Sequence, residues 1–242
     1  MTGERVNADF SQRVVLATNE LPWVPSPQPG VERRLLDRIG GEVARATSLV
    51  RYAAQSVFPR HAHALGEEFL VLDGVFSDEQ GDYPAGTYVR NPPGSRHSPR
   101  TGPGCTILVK LRQMTATQCE RVVVETSHAT WEPGDIAGHA RLRLYESAEA
   151  PAPARTMRER VTMERLLPGS ALPVADLPGG EEIFVLSGEL SDESGSYADG
   201  CWIRNPPGYR RSLRSGPGAT FWSKRGHLSK AASGAERDGP GA

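Results

Sequence analysis

The chain repeats itself, and the repeat constrains its fold more than any other feature. The segment "EEFLVLDGVFSDEQGDYPAGTYVRNPPGSRHSPRTGPG", from Glu67, aligns without a gap with "EEIFVLSGELSDESGSYADGCWIRNPPGYRRSLRSGPG", from Glu181. The offset is 114 (181 − 67) and roughly half of the positions are identical, far above chance for unrelated segments. Upstream, "RVVLATNELPWVP" from Arg13 matches "RVVVETSHATWEP" from Arg121 at an offset of 108 (121 − 13). The two units therefore differ by one short insertion, falling between Trp23 and about Leu49 in the first. Two units of this size are two homologous domains, not a many-repeat solenoid.

Short apolar runs such as "EEFLVL", "TYVR" and "TILVKL" are rich in β-branched and aromatic residues and read as strands. "DEQGDYPAG" and "NPPGS" read as turns, because Gly supplies positive φ and Pro fixes its own. The nearest helix candidate, "GVERRLLDRIGG", is bounded tightly by glycines. The expectation is an all-β chain with one antiparallel double sheet or barrel per unit. The two units are expected to pair like a dimer in one chain. The boundaries expected are 1–117, 118–229 and a disordered tail over 230–242, within "SKAASGAERDGPGA".

Composition excludes several functions. The formal net charge is −1 at pH 7, so no global field recruits nucleic acid or an anionic membrane. No apolar run reaches spanning length and the N-terminus has no signal-peptide pattern, so a cytoplasmic protein is expected. Cys105, Cys119 and Cys201 are scattered, which fits small buried hydrophobes in a reducing compartment, not a disulfide framework.

The chemistry concentrates in "RHAHALGEEF", residues 60–69. Two explanations compete, a polar surface turn or three ligands of a metal ion. Strand side chains alternate faces. His61, His63 and Glu67 share parity and converge if the segment is extended or folds back through Gly66. Two imidazoles and a carboxylate suit a divalent first-row metal. A fourth ligand must come from elsewhere, and His97, the remaining histidine of this unit, follows a proline-rich turn that reverses the chain. Taken singly, any one of these histidines reads as a surface residue. The pair together with a later His after a rigid turn favours a site. Glu68, of opposite parity, is expected to face solvent or a partner behind the ligands.

The same spacing resembles a known family. His61-x-His63-x(3)-Glu67-x(6)-Gly74 resembles the first cupin motif, and Gly86-x(5)-Pro92-x-Gly94-x(2)-His97 the second. More narrowly, "GEEFLVLDGVFSDEQGDYPAGTYVRNPPGSRH" and "GCTILVKLRQ" resemble the cupin domain of the ChrR anti-sigma-factor family, over most of both units. The resemblance implies two tandem cupin domains, each a double-stranded β-helix or jelly roll. It also implies a metal held by His61, His63, Glu67 and His97. One departure matters. The family's sigma-binding zinc domain needs a His and a Cys-x-x-Cys ahead of the cupin, and the residues preceding the first unit here contain neither. Sigma-factor binding by that route is not expected.

At the offset of 114, His61, His63 and His97 correspond to Ala175, Leu177 and Arg211, and only Glu67 survives, as Glu181. The second unit is therefore expected to lack a metal and to act as scaffold. Arg211 is expected either to reach Glu181, replacing the cation, or to face solvent. His128, His139 and His227 carry no ligand spacing and read as structural or surface residues.

The function expected is a metal-binding regulatory or stress- or ligand-sensing module with one divalent ion per chain. Zinc is the expected ion, with iron, manganese or nickel as alternatives. The competing reading is a metal-dependent dioxygenase or other small-molecule enzyme, with Glu67 available as a base. The catalytic residues are otherwise unassigned. Substrate-facing side chains would be Phe69, Val71, Tyr88, Ile107 and Val109 or their opposite-parity neighbours. The partners expected are a small-molecule ligand in the first barrel and a second copy of the chain.

Overall fold

The computed structural model describes residues 4–41, 43–147 and 158–228. The expected tail lies outside these. In chain order the first strands are β1 (Arg5–Val6), β2 (Val14–Ala17), β3 (Val24–Pro25), β4 (Val31–Gly40), β5 (Ala44–Tyr52), β6 (His61–His63), β7 (Glu67–Asp78), β8 (Gly81–Pro84), β9 (Thr87–Asn91), β10 (Ser95–His97), β11 (Cys105–Leu111) and β12 (Val122–Glu125). There follow β13 (Glu132–Pro133), β14 (His139–Glu146), β15 (Arg160–Leu166), β16 (Ser170–Leu177), β17 (Glu181–Asp192), β18 (Gly195–Ala198), β19 (Cys201–Asn205), β20 (Tyr209–Ser215) and β21 (Ala219–Arg225). No α-helix occurs among the described residues; a single 3-10 turn covers Thr18–Glu20. The chain is all-β and carries two jelly-roll units, as its sequence led us to expect.

The helix candidate is a strand. "VERRLLDRIG" forms β4, and a bulge between Leu35 and Asp37 re-aims its side chains, which hides the period-two pattern. "DEQGDYPAG" is not one turn: Gly81–Pro84 pairs with the end of β7 as the short strand β8.

The compact units comprise residues 1–8 with 21–129, and 9–20 with 130–242. Each therefore includes a piece that the sequence repeat assigns to the other half. In unit 1 the main sheet runs β1-β4-β5-β11-β7-β9-β12, with β3 on β4 and β8 on β7, and β6 pairs separately with β10. In unit 2 the corresponding sheet runs β13-β14-β15-β21-β17-β19-β2, with β16 on β20 and β18 on β17. Arg34 pairs with Leu49 in unit 1 and Leu142 with Met163 in unit 2, so the offset passes from 108 to 114 across the β14–β15 connection, which holds the extra residues.

β7 shows how one strand serves two layers. Its first half pairs with β11 and β9, and its end pairs with β8. The bend falls at Gly74, where φ is 71° and a Cβ would lie 2.0 Å from the Gly104 carbonyl oxygen. Only glycine permits that approach. The inward faces bury Phe69, Val71, Phe76, Tyr83, Val89 and Ile107 as the core of unit 1. The Phe69 and Phe76 rings lie 4.6 Å apart, and each such buried side chain contributes about 1.5–3 kcal/mol.

Candidate metal centre

The site is assembled by two turns. Gly66 (φ 74°) closes the first, its amide donating to the His63 carbonyl at 3.1 Å. That turn carries the chain from β6 into β7 and swings Glu67 back towards His63. The second is Asn91-Pro92-Pro93-Gly94, whose Gly94 amide also donates to the His63 carbonyl, at 2.8 Å. It lays β10 antiparallel on β6, with His97 opposite His61 and Ser95 opposite His63. Opposed residues share a face and alternate residues return to it, so His61, His63 and His97 all point the same way.

The three histidines offer ligand atoms all within 4.8 Å of one another, a group that can hold a metal ion. His63 Nε2 and His97 Nε2 are 2.9 Å apart, and Glu67 Oε2 lies 3.5 Å from each. The fourth residue expected from the sequence thus lies beside His63 and His97. His63, Glu67 and His97 are buried, and His61 is the most exposed.

The surroundings orient these groups. His61 Nδ1 lies 3.0 Å from the Pro59 carbonyl and His97 Nδ1 lies 3.3 Å from Asp78 Oδ2, so both rings turn Nε2 towards the centre. Asp78 is itself held: its Oδ1 accepts from the Gln80 amide at 2.8 Å and the Tyr83 hydroxyl at 3.0 Å. Asn91 Nδ2 donates to Glu67 Oε2 at 3.1 Å. Burial pushes the His63 pKa down; the Glu67 charge opposes this and the neighbouring His97 and His61 add to it, so the net shift favours the neutral ring, the form that binds a metal. Burial also disfavours charge on His97, but its hydrogen bond to Asp78 and the Glu67 charge outweigh this and raise it.

A cavity of about 580 Å³ opens against this cluster. His61, His63 and Glu67 line one side; Val31, Val50, Tyr52, Phe58, Val109 and Leu111 line much of the rest. Of the substrate-facing positions expected, Val109 reaches the cavity, whereas Phe69, Val71 and Ile107 pack in the core. Tyr88 faces the other side of the sheet, where its hydroxyl and Arg90 both bond to Glu68 Oε2, at 2.8 and 2.7 Å. Glu68 is therefore buried and ion-paired, not facing solvent. The walls from β4 and β5 were missed because the bulge masks the alternation of β4. Cys105 and Cys201 are buried thiols as expected; Cys119 is exposed, correcting its reading as a buried hydrophobe.

Unit 2 preserves the scaffold and replaces the chemistry. Ala175 pairs with Arg211 in the register that joins His61 to His97 in unit 1, and Leu177 is buried. Glu181 is fully buried and accepts from Arg225 Nε at 2.6 Å and from Arg211 Nη1, Asn205 Nδ2 and Ser223 Oγ at 3.3 Å each. Arg211 does reach Glu181. Arg225, which the sequence reading overlooked, is the closer partner. Its counterpart 114 residues earlier is Leu111, on the cavity wall. Likewise Glu164 and His139, joined at 3.0 Å, stand where unit 1 has Val50 and Val31. Polar and charged side chains thus stand in unit 2 where Leu111, Val50 and Val31 form the apolar part of the cavity wall in unit 1. His227 bonds to Glu182 at 3.0 Å and exposed His128 to Glu125 at 3.0 Å. Among the described residues, His61, His63 and His97 form the only cluster with metal-ligand geometry.

Solved structures share this architecture. A candidate dioxygenase from Nostoc punctiforme superposes with a TM-score of 0.74 at 16% identity, covering 94% of this chain and 89% of the other. A candidate glyoxylate-induced protein from Pseudomonas aeruginosa gives 0.66 at 13% identity, covering 93% and 90%. A bacterial pirin from Escherichia coli, in complex with nickel(II), gives 0.62 at 12% identity, covering 88% and 98%. At these identities the likeness establishes the fold. No curated protein sequence matches the chain. The model of the ChrR cupin-like domain matches residues 11–115 and again 119–229, and the chain therefore belongs to the ChrR cupin-like family, with two copies of its domain.

Proposed function

We propose that unit 1 binds one divalent metal ion through His61, His63, Glu67 and His97 and acts on a small organic molecule held in the adjoining cavity, as a metal-dependent dioxygenase or related cupin enzyme. The observation that carries this reading is the cavity, about 580 Å³, which opens directly onto three of the four ligand residues. That volume is typical of small-molecule sites. A purely structural metal site is closed by its four ligands and needs no such space. A bound first-row metal would supply an electrophilic centre for chelating oxygen atoms and, as iron(II), for dioxygen. The protein's part is to fix the imidazoles through Pro59 and Asp78, to exclude bulk water with the Val31, Val50 and Leu111 wall, and to offer Glu67 as a base. The Nostoc structure described as a candidate dioxygenase supports the enzyme reading by analogy of fold only.

Membership of the ChrR cupin-like family supports a second reading, a zinc-holding module that senses a ligand or stress and signals to a partner. The test is anaerobic loading with iron(II) or zinc, followed by dioxygen-uptake measurements across a panel of small organic substrates. Uptake with iron alone, abolished in His63→Ala, is expected for the enzyme. Tight zinc retention with no turnover under any loading would favour the sensor.

A further inference from the structure

The cavity of unit 1 carries more than metal ligands and an apolar wall. Among the described residues lining it are three arginines, Arg33, Arg38 and Arg112, and one acid, Glu67; Arg38 is already paired with Glu4 at 3.3 Å. A low-dielectric cleft lined by one sign of charge attracts the opposite sign. Arg33 follows Val31 by two residues on β4, so both face the same side, and it pairs across to Val50. Its Nη2 donates to Ser26 Oγ, also on the cavity wall, which fixes where the guanidinium sits. Tyr52 lines the same cavity as Arg33 and Glu67.

The second unit supplies an internal comparison. The residue 108 positions after Arg33 is Arg141, whose Nη2 bonds to Asp135 Oδ2 at 2.8 Å and whose Nε lies 3.6 Å from Glu164. In unit 1 those two acids are replaced by Pro27 and Val50, both lining the cavity. The guanidinium is kept where the cavity is kept, and there its cavity neighbours at positions 27 and 50 are apolar.

We propose that the cavity of unit 1 takes a small organic carboxylate, with Arg33 holding the carboxylate and the apolar wall its hydrocarbon body. This deepens, and rests on, the reading of the cavity as a metal-centred small-molecule site. Arg33 is a specificity-determining residue in this account, because a fork of N–H donors matches a carboxylate and not its neutral amide.

The test uses the full chain, zinc-loaded and metal-stripped, titrated by calorimetry with benzoate, 3-phenylpropanoate and hexanoate, each against its primary amide. At least one carboxylate should bind the zinc-loaded protein about tenfold or more tighter than its amide. Arg33→Gln should erase that preference, and Arg33→Lys should restore part of it. Circular dichroism on each variant shows that it folds. Amides bound as tightly as acids, no acid bound, or a preference unchanged in Arg33→Gln would each overturn the proposal. A carboxylate preference that persists in a protein unable to take up any metal would overturn the metal reading instead and leave the role of Arg33 standing.

Discussion

Asp78 orients a ligand without touching the metal position, and replacing it with Asn isolates that role. Asp78 is almost fully buried; Oδ1 accepts from the Gln80 amide and the Tyr83 hydroxyl, and Oδ2 faces His97 Nδ1 at 3.3 Å. Asn has nearly the same shape but only one acceptor oxygen. Two donors already claim the Oδ1 position, so the amide NH₂ must face His97 Nδ1. Two N–H groups then oppose each other unless His97 moves its proton to Nε2, the atom that converges with His63 Nε2 at 2.9 Å. A protonated Nε2 cannot ligate. Losses of this kind are about 10–100-fold in metal affinity, or about 1.4–2.7 kcal/mol. The control lies in the same chain. Asp192, 114 residues on, makes the same bonds to the Ser194 amide and Tyr197 hydroxyl at 2.7 and 2.5 Å, but its second oxygen meets Arg13 at 2.6 Å instead of a histidine. Competition against a chelating metal indicator should show weakened binding in Asp78→Asn and unchanged binding in Asp192→Asn. An Asp78→Asn protein within twofold of wild type would refute this reasoning.

Further expectations concern both units. Glu181→Ala should cost about 3–5 kcal/mol, because it leaves the buried Arg211 guanidinium without its carboxylate; chemical denaturation measures the loss, and metal content should not change. Glu164 is pushed up by burial, but the hydrogen bond from His139 and the charges of Arg225 and Arg141 outweigh this and hold its carboxyl well below the usual carboxylate range. Its contribution to stability is therefore complete above its unfolded value, near 4.5, and is lost as pH falls below that. Thermal midpoints followed into acid should fall more steeply for wild type than for Glu164→Gln. Gly66→Ala forces a side chain into a φ of 74° with its Cβ 2.3 Å from Met114 Sδ, so it should lower both thermal stability and metal uptake, the backbone strain alone costing about 1–3 kcal/mol.

Much of this site could be read before any coordinates. The shared parity of His61, His63 and Glu67, and the rigid Pro-Pro-Gly turn before His97, encode local geometry, and local geometry survives folding. What escaped depends on pairing between distant strands. Arg225 meets Glu181 across the β17–β21 pair, forty-four residues away (225 − 181), and nothing near either residue announces it. The charged filling of unit 2 was therefore half visible: the missing histidines could be seen, and their replacements, beyond Arg211, could not. The cavity wall was hidden for a related reason. The bulge at Leu35 to Asp37 shifts the inward parity of β4 midway, so a sequence pattern that holds before it fails after it. Glu68 could be excluded from the ligand set by parity, but its burial against Arg90 depends on which face of the sheet is covered, and a single strand does not disclose that.

The central claim is one metal site in a chain with two copies of the fold. Elemental analysis of full-length protein, purified without a metal-affinity tag or chelator, tests it most directly, with His63→Ala prepared alongside. The account predicts about one divalent metal per wild-type chain and close to none in the variant. About two per chain, or an undiminished content in His63→Ala, would contradict it.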